Sequence, residues 1–308
     1  MRMKNAIIMA AGKGTRMKSD LPKVLHRILE EPMAGMIVNN VKQAGAERVV
    51  CIVGYRHELV EEALKGKCEF AVQEPQLGTG HAVMQARQLE NDQGKTLVAN
   101  GDCPCVRPST YARMYEALDH ADMVVLTAEP EDTASYGRVI RNAEGNVEKI
   151  VEFKDCTEEE KAVREINTGI YCFDNESLFE GLKHLKNNNA QNEYYITDLV
   201  EILRGMGKTV AAVKAVDWLE VQGVNDNVEL AKAGKYMAER INTEWMIRGV
   251  TIMDPESTFI GPNVKIGHDV MIYPNTYLFG ETEIGNDVRI MPGCWLKDEK
   301  VGDGETVR

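Results

Sequence analysis

What this sequence lacks removes several classes of protein before any motif is read. No stretch approaches the ~20 apolar residues of a membrane span. The first apolar run, Ala6 to Met9, is too short for the core of a secretory leader and meets charge and glycine at once. No C-x-x-C occurs, and the seven cysteines are an odd number without paired spacing. That argues against a disulfide framework and for reduced thiols in a cytosol. No His-rich or Cys-rich set offers zinc. Cations are outnumbered too. The net charge of −12 argues against a general nucleic-acid surface, which needs clustered Lys and Arg. The expectation is a cytoplasmic chain with no membrane or nucleic-acid partner.

What is present is ordinary in bulk, with 44% hydrophobic and 27% charged residues. A length of 308 residues predicts about two domains. Apolar strand-like runs alternate with amphipathic segments over the first 225 residues. Strands are expected at Asn5 to Met9, Arg48 to Val53, Phe70 to Gln73, Thr96 to Asn100 and Met123 to Ala128. Helices are expected at Met33 to Gly45, Glu58 to Leu64, Gly80 to Leu89 and Pro108 to Ala121. Strand, helix, strand without hairpin turns implies parallel pairing in a doubly wound, Rossmann-like α/β domain. After Tyr136 the pattern predicts a hairpin about the turn at 142–146, a capping box at Thr157 to Glu160, a strand over Asn167 to Phe173, and a helix from Tyr194 to Leu203. A long helix should follow from Asn227 to Arg248.

From Gly249 onward the period changes. Ile260, Ile266, Ile272, Leu278, Ile284, Ile290 and Leu296 recur every six residues. Hairpins would not hold that phase; a parallel β-helix of hexapeptide repeats does. About two triangular coils are expected, with a register slip at Val301, five residues after Leu296. Such a stub lacks an obvious capping repeat, which implies trimer-like association or a longer parent chain. The expected division is a nucleotidyltransferase-like domain over 1–226, a linking helix over 227–249 and a partial β-helix over 250–308.

Three stretches carry candidate chemistry. In Ala10-Ala11-Gly12-Lys13-Gly14-Thr15-Arg16-Met17 a strand runs into small residues, with Lys13, Arg16 and Lys23 nearby. Backbone N–H groups can approach a phosphate there and the cations can neutralise it, although a glycine-requiring turn has the same look. It is neither G-x-G-x-x-G nor a P-loop. In Gln73-Glu74-Pro75-Gln76-Leu77-Gly78-Thr79-Gly80, glutamine amides can read a base edge at the carboxyl end of a strand. The alternative is a helix start capped by Thr79. In Asn100-Gly101-Asp102-Cys103-Pro104, Asp102 is placed to hold Mg²⁺, or is simply a turn aspartate.

Taken in order, the opening loop, Pro22-Lys23-Val24-Leu25-His26, Gln76 to Ala82, Gly101-Asp102, Glu165 to Gly169, Tyr194 to Asp198, Gly223-Val224-Asn225 and the hexapeptides resemble the bacterial N-acetylglucosamine-1-phosphate uridyltransferases. The resemblance spans nearly the whole chain. It implies a reaction of UTP with N-acetylglucosamine 1-phosphate, giving UDP-N-acetylglucosamine and pyrophosphate. It implies that Gln73, Gln76, Gly78 and Thr79 bind uracil with the backbone of Ala10, Ala11, Gly12 and Gly14. Arg16 and Lys23 would hold the triphosphate, Asp102 and Asn225 would hold Mg²⁺, and Gly137, Glu152, Asn167, Tyr195 and Thr197 would bind the sugar. A homotrimer is implied as well.

A sugar phosphate carries about −1.5 to −2 charge at neutral pH and needs no base to become a nucleophile. Neither a covalent intermediate nor an organic cofactor is therefore expected. Two departures stand out: Asn100 where the resemblance leads to tyrosine, and Cys105 where it leads to leucine. The family's second, acetyltransferase site belongs to later coils, so that activity is not expected in this chain. A related nucleotidyltransferase with another sugar or base, and a non-catalytic sugar-nucleotide sensor, are the alternatives.

Overall fold

The computed structural model describes residues 2–133, 135–189 and 191–308. The chain divides into two compact units, one of Met1–Leu25 with Met33–Gly223 and the other of His26–Pro32 with Val224–Arg308.

In chain order, β1 (Met3–Met9) is followed by the short β2 (Arg27–Ile28) and β3 (Glu31–Pro32), then α1 (Met33–Gln43), β4 (Arg48–Val53), α2 (His57–Ala63) and β5 (Glu69–Val72). Next come α3 (Thr79–Met84), β6 (Gly94–Asn100), α4 (Pro108–Ala117), β7 (Met123–Ala128), β8 (Arg138–Arg141) and β9 (Val147–Val151). The first unit closes with α5 (Glu158–Lys161), β10 (Ile166–Asp174), α6 (Asn175–Leu182), α7 (Leu199–Gly205) and β11 (Val210–Lys214).

Its sheet runs β11-β7-β10-β6-β1-β4-β5, with the β8–β9 hairpin appended to β10. β1 pairs in parallel with β4 and β6, and β4 with β5. β10 runs antiparallel to β6 and β7, and the β8–β9 hairpin is antiparallel as well.

Alternation along the strands explains the two helical layers. Ala6 and Ile8 enter one core with Val49, Cys51, Leu97 and Ala99, which α1 and α4 cover. Ile7 faces the other way, with Val50, Ile52 and Val98, against α3, α6 and α7. A strand buried on both faces has to be apolar throughout, which is why β1 and β4 read as unbroken runs.

Helix boundaries follow local chemistry. Pro108 opens α4 at its first turn, and Thr157 and Glu160 form the reciprocal capping box of α5. Three expected helices are shorter. That at Gly80 to Leu89 is α3 plus a separate 3₁₀ turn at Arg87–Leu89, and that at Pro108 to Ala121 ends as a 3₁₀ turn at Leu118–His120. Tyr194 and Tyr195 lie outside any helix. Tyr194 N–H donates to Leu77 O at 2.8 Å and Tyr194 O accepts from Gly80 N–H at 2.7 Å. Their backbone is committed to that pairing, so helix begins only at Ile196.

The second unit starts with α8 (Asn227–Ile247), capped by Asp226, whose carboxylate accepts from Val228 and Glu229 N–H at 2.9 Å each. A left-handed parallel β-helix follows. One face stacks β12 (Thr251–Ile252), β15 (Met271–Ile272), β18 (Arg289–Ile290) and β21 (Thr306–Val307). The second stacks β13 (Phe259–Ile260), β16 (Tyr277–Phe279) and β19 (Trp295–Lys297), and the third β14 (Lys265–Ile266), β17 (Glu283–Ile284) and β20 (Lys300–Val301). The described residues thus make three coils and a tenth strand, more than the two coils expected. The hexads begin earlier, at Thr251, and continue past Leu296. The slip at Val301 is absorbed at a corner, since Val301 still pairs with Ile284. Asp269, Asn275, Asp287 and Asp298 take left-handed φ of 55–58° at corners, a conformation that short polar side chains tolerate.

Asn242 ties α8 to the first coil. It is fully buried, and its amide donates to Pro255 O at 2.9 Å and Thr258 O at 2.8 Å. The β2–β3 hairpin belongs to the same unit: Glu30 pairs with Lys297 at 3.1 Å. Asn242→Leu strands two buried carbonyls and should destabilise the protein by about 2–3 kcal/mol. Urea denaturation followed by tryptophan fluorescence reads this, and an unchanged midpoint would remove the amide from the account.

Candidate active site

A doubly wound sheet opens where successive connections leave a strand on opposite sides. From β1 the chain builds outward through β4 and β5, then returns to the other flank of β1 as β6. The carboxyl ends of β1 and β6 therefore lie side by side beneath a crevice. A cavity of about 390 Å³ sits there. Its lining includes Ala10, Ala11 and Gly12 after β1, Gln73, Gln76, Gly78 and Thr79 after β5, Asn100 and Asp102 after β6, and Lys23 and Glu193.

All three stretches singled out in the sequence thus meet. Lys23 Nζ lies 2.5 Å from Asp102 Oδ2, and both side chains are largely buried. Gly14 adopts φ 65°, and a Cβ there would press on the Lys23 stem, so the turn has to be glycine for the lysine to lie where it does.

The glutamines are held from behind. Gln73 Nε2 donates to Gly78 O at 3.0 Å and faces His81 Nδ1 at 3.2 Å. Burial lowers the His81 pKa, which favours the neutral ring. Gln76 Nε2 donates to Ala11 O at 2.5 Å. These contacts orient both amides, and each glutamine keeps its carbonyl oxygen as an acceptor for a ligand, Gln76 with a second N–H beside it. Thr79 is not a cap, since Gly78 occupies that position; its hydroxyl accepts from Ile196 N–H at 3.1 Å.

The residues assigned to sugar form their own group. Thr197 Oγ1 donates to Glu152 Oε1 at 3.4 Å, and Gly137 lies against the Glu152 carboxylate. Asn167 N–H donates to Gly137 O at 2.9 Å, and its side-chain amide donates to Tyr171 OH at 2.8 Å. Tyr195 OH accepts from Gln191 Nε2 at 2.7 Å. Burial raises the Glu152 pKa, with Thr197 opposing the shift. Asp198 next to Thr197 is pushed up to about 6, by burial first and then by Glu201 and Asp155.

Other expected residues are not among those that line the cavity. Arg16 is exposed and outside the cavity lining. Lys13 sits over the Tyr55 ring at 5.3 Å, not over the cavity. Asn225 belongs to the second unit, where its N–H donates to Glu229 at 2.6 Å. Two polar lining residues, Asn100 and Glu193, are not among the expected site residues. Glu193 adjoins the Tyr194 segment that pairs with Leu77 and Gly80, which was the available signal. All seven cysteines are free thiols. Among the described residues no helix is long and apolar enough to cross a membrane.

Residues 6–195 match the MobA-like NTP transferase domain. Over 309 residues the chain is 49% identical to the bifunctional protein GlmU of Geobacillus sp. (strain WCH70), covering 98% of this chain and 67% of that protein. The chain belongs to the GlmU family. GlmU of Halalkalibacterium halodurans is 46% identical over 306 residues, again 98% of this chain and 67% of its own length. GlmU of Latilactobacillus sakei is 51% identical over 281 residues, 90% of this chain and 61% of its own length. A crystal structure of UDP-glucose pyrophosphorylase complexed with UDP-glucose is similar in fold, with a TM-score of 0.62 and 22% identity, covering 77% of this chain and 99% of that one. As a GlmU-family member the chain is a sugar-1-phosphate uridyltransferase, a nucleotidyltransferase enzyme.

The raised Asp198 pKa has a stability consequence. An acid whose folded pKa lies above its unfolded value of 3.8 costs stability when ionised, so this contribution falls as pH rises from about 4 through about 6. Asp198→Asn should stabilise the protein at pH 7.5 by about 1 kcal/mol, after allowance for the solvent that reaches the group. The gain should vanish near pH 4. Thermal melts of both proteins across this range test the sign, and a gain that grows on acidification would refute it.

Proposed function

We propose that this chain transfers UMP from UTP to N-acetyl-α-D-glucosamine 1-phosphate, giving UDP-N-acetylglucosamine and pyrophosphate. The observation that carries the reading is the Lys23–Asp102 pair, set in the same cavity as the two restrained glutamines. Cation, carboxylate and base-reading groups converge at the switch point of the sheet, where a nucleoside triphosphate is expected.

The glutamine carbonyl oxygens support a preference for uracil. Uracil offers an N3–H donor where cytosine offers a lone pair, and a glutamine carbonyl oxygen favours the donor. The Ala10 to Gly12 backbone lets the phosphates approach closely, and Lys23 neutralises the charge that builds on them. An oxygen of the sugar phosphate attacks the α-phosphorus of UTP. The α–β bridging bond breaks, and pyrophosphate leaves with the electron pair. The attacking oxygen is already anionic, so the residues have to bring two polyanions together and hold them in line.

A divalent cation fits the donors. Among the described residues no group of three or more His, Cys, Asp or Glu side chains could hold a metal, so an ion here would rest mainly on substrate phosphates. A hard carboxylate oxygen of Asp102 would be this unit's share, which suits Mg²⁺. When bound, it supplies charge neutralisation at the phosphoryl oxygens. The sugar would be read by Glu152, Asn167, Gly137, Tyr195 and Thr197, with Arg16 assisting the triphosphate. The hexapeptide coils favour a homotrimer, and a cytoplasmic setting accords with seven free thiols.

Pyrophosphate release measured across UTP, CTP and dTTP against several sugar 1-phosphates should be highest with UTP and N-acetylglucosamine 1-phosphate. Equal turnover with dTTP and glucose 1-phosphate would reassign the substrates. Asp102→Asn and Lys23→Ala should each lower kcat by about 10²–10³-fold. Wild-type rates in either variant would remove that residue from the mechanism.

A further inference from the structure

The Asn100 side chain links the cavity to the sugar group. Asn100 closes β6 and lines the cavity, two residues before Asp102. Its Nδ2 donates to Thr168 O at 3.0 Å. Thr168 lies in a bulge of β10, where pairing with β7 shifts register between Asn167 and Tyr171. The peptide unit that carries the Thr168 carbonyl also carries the Gly169 N–H. That N–H donates to Asn167 Oδ1 at 3.1 Å. A peptide unit is planar, so fixing its carbonyl fixes its N–H. Gly169 has φ 76°, and with no Cβ it can accept either orientation of the preceding peptide. A Cβ on Gly169 would collide with the Asn100 amide, which shows how closely the two are seated.

From this we infer that Asn100 is a positioning residue for the sugar side of the site. Resting on the substrate reading above, it acts through Asn167. The Asn100 amide holds the 168–169 peptide in one orientation, and that peptide holds the Asn167 carboxamide toward the sugar phosphate. The other Asn167 restraint, its amide to Tyr171 OH at 2.8 Å, leaves the carbonyl end dependent on Gly169. Removing the Asn100 donor frees the peptide to turn over, and Asn167 loses the partner of its oxygen. The Gln73 and Gln76 amides are held by other partners, Gly78 O and Ala11 O.

The test uses Asn100→Ala and Asn100→Leu in the full chain, the second keeping bulk without a donor. In substrate-free protein the Gly169 amide should exchange with deuterium at least about tenfold faster in both variants, the loss of one hydrogen bond. In steady-state assays KM for the sugar 1-phosphate should rise about tenfold, and by a clearly larger factor than KM for UTP. Unchanged exchange at Gly169 overturns the tether. Equal rises in both KM values overturn the sugar-side role. Faster exchange in protein that prefers a different sugar phosphate would refute the substrate reading and leave the tether standing, because exchange needs no substrate. A Leu variant that behaves as wild type while Ala fails would assign the effect to bulk and overturn the proposal.

Discussion

The constraint on which the first unit depends is a reversal of strand order beside β1. Parallel strands joined by crossovers cannot place consecutive loops next to one another unless the winding changes direction. Here it changes once, between β1 and β6, and the ends of both strands are left uncovered by their own connections. The three stretches that meet in the candidate site lie at the edge where this reversal opens the sheet. The glycine loop follows β1, the carboxylate follows β6, and the glutamines follow β5 on the same edge. Lys23 then closes the arrangement, its 2.5 Å pair with Asp102 joining segments 79 residues apart.

The antiparallel β10 brings in the other half. Because it runs against β6, its first residues, not its last, lie at the carboxyl edge. Asn167 to Gly169 arrive beside Asn100 for that reason alone. A parallel strand in the same place would have delivered its C-terminal residues, and the β8–β9 hairpin with Glu152 would have had no antiparallel neighbour to join.

Legibility in the sequence divides along the same line. Strands buried on both faces announce themselves as apolar runs, so β1, β4, β6 and β7 could be placed closely. The six-residue phase announced the β-helix, although its first coil, before Ile260, and its last, after Leu296, break the aliphatic pattern and were undercounted. The glycine loop, the glutamines and Asp102 were each legible as residue types. Their convergence was not, since it comes from strand order. The direction of β10 left no mark either, because a strand reads the same in both senses. Tyr194 looked helical because its apolar spacing continues into α7; hydrogen bonds to Leu77 and Gly80 override that propensity. In the sequence Asn100 stands out only as a departure from an expected tyrosine, and its partner is a carbonyl, which no side-chain pattern advertises.

The hairpin of His26–Pro32 has a consequence for how this chain can be rearranged. The backbone leaves the first unit after Leu25, returns at Met33 and leaves again after Gly223. The repeats at the C-terminus are therefore not a detachable tail. A cut at 223 separates the coils from a piece of their own unit, and a graft of foreign coils meets a hairpin whose Glu30 was matched to Lys297. Recombination between relatives would have to carry two sequence blocks together, 26–32 and 224–308, for the exchanged module to arrive whole.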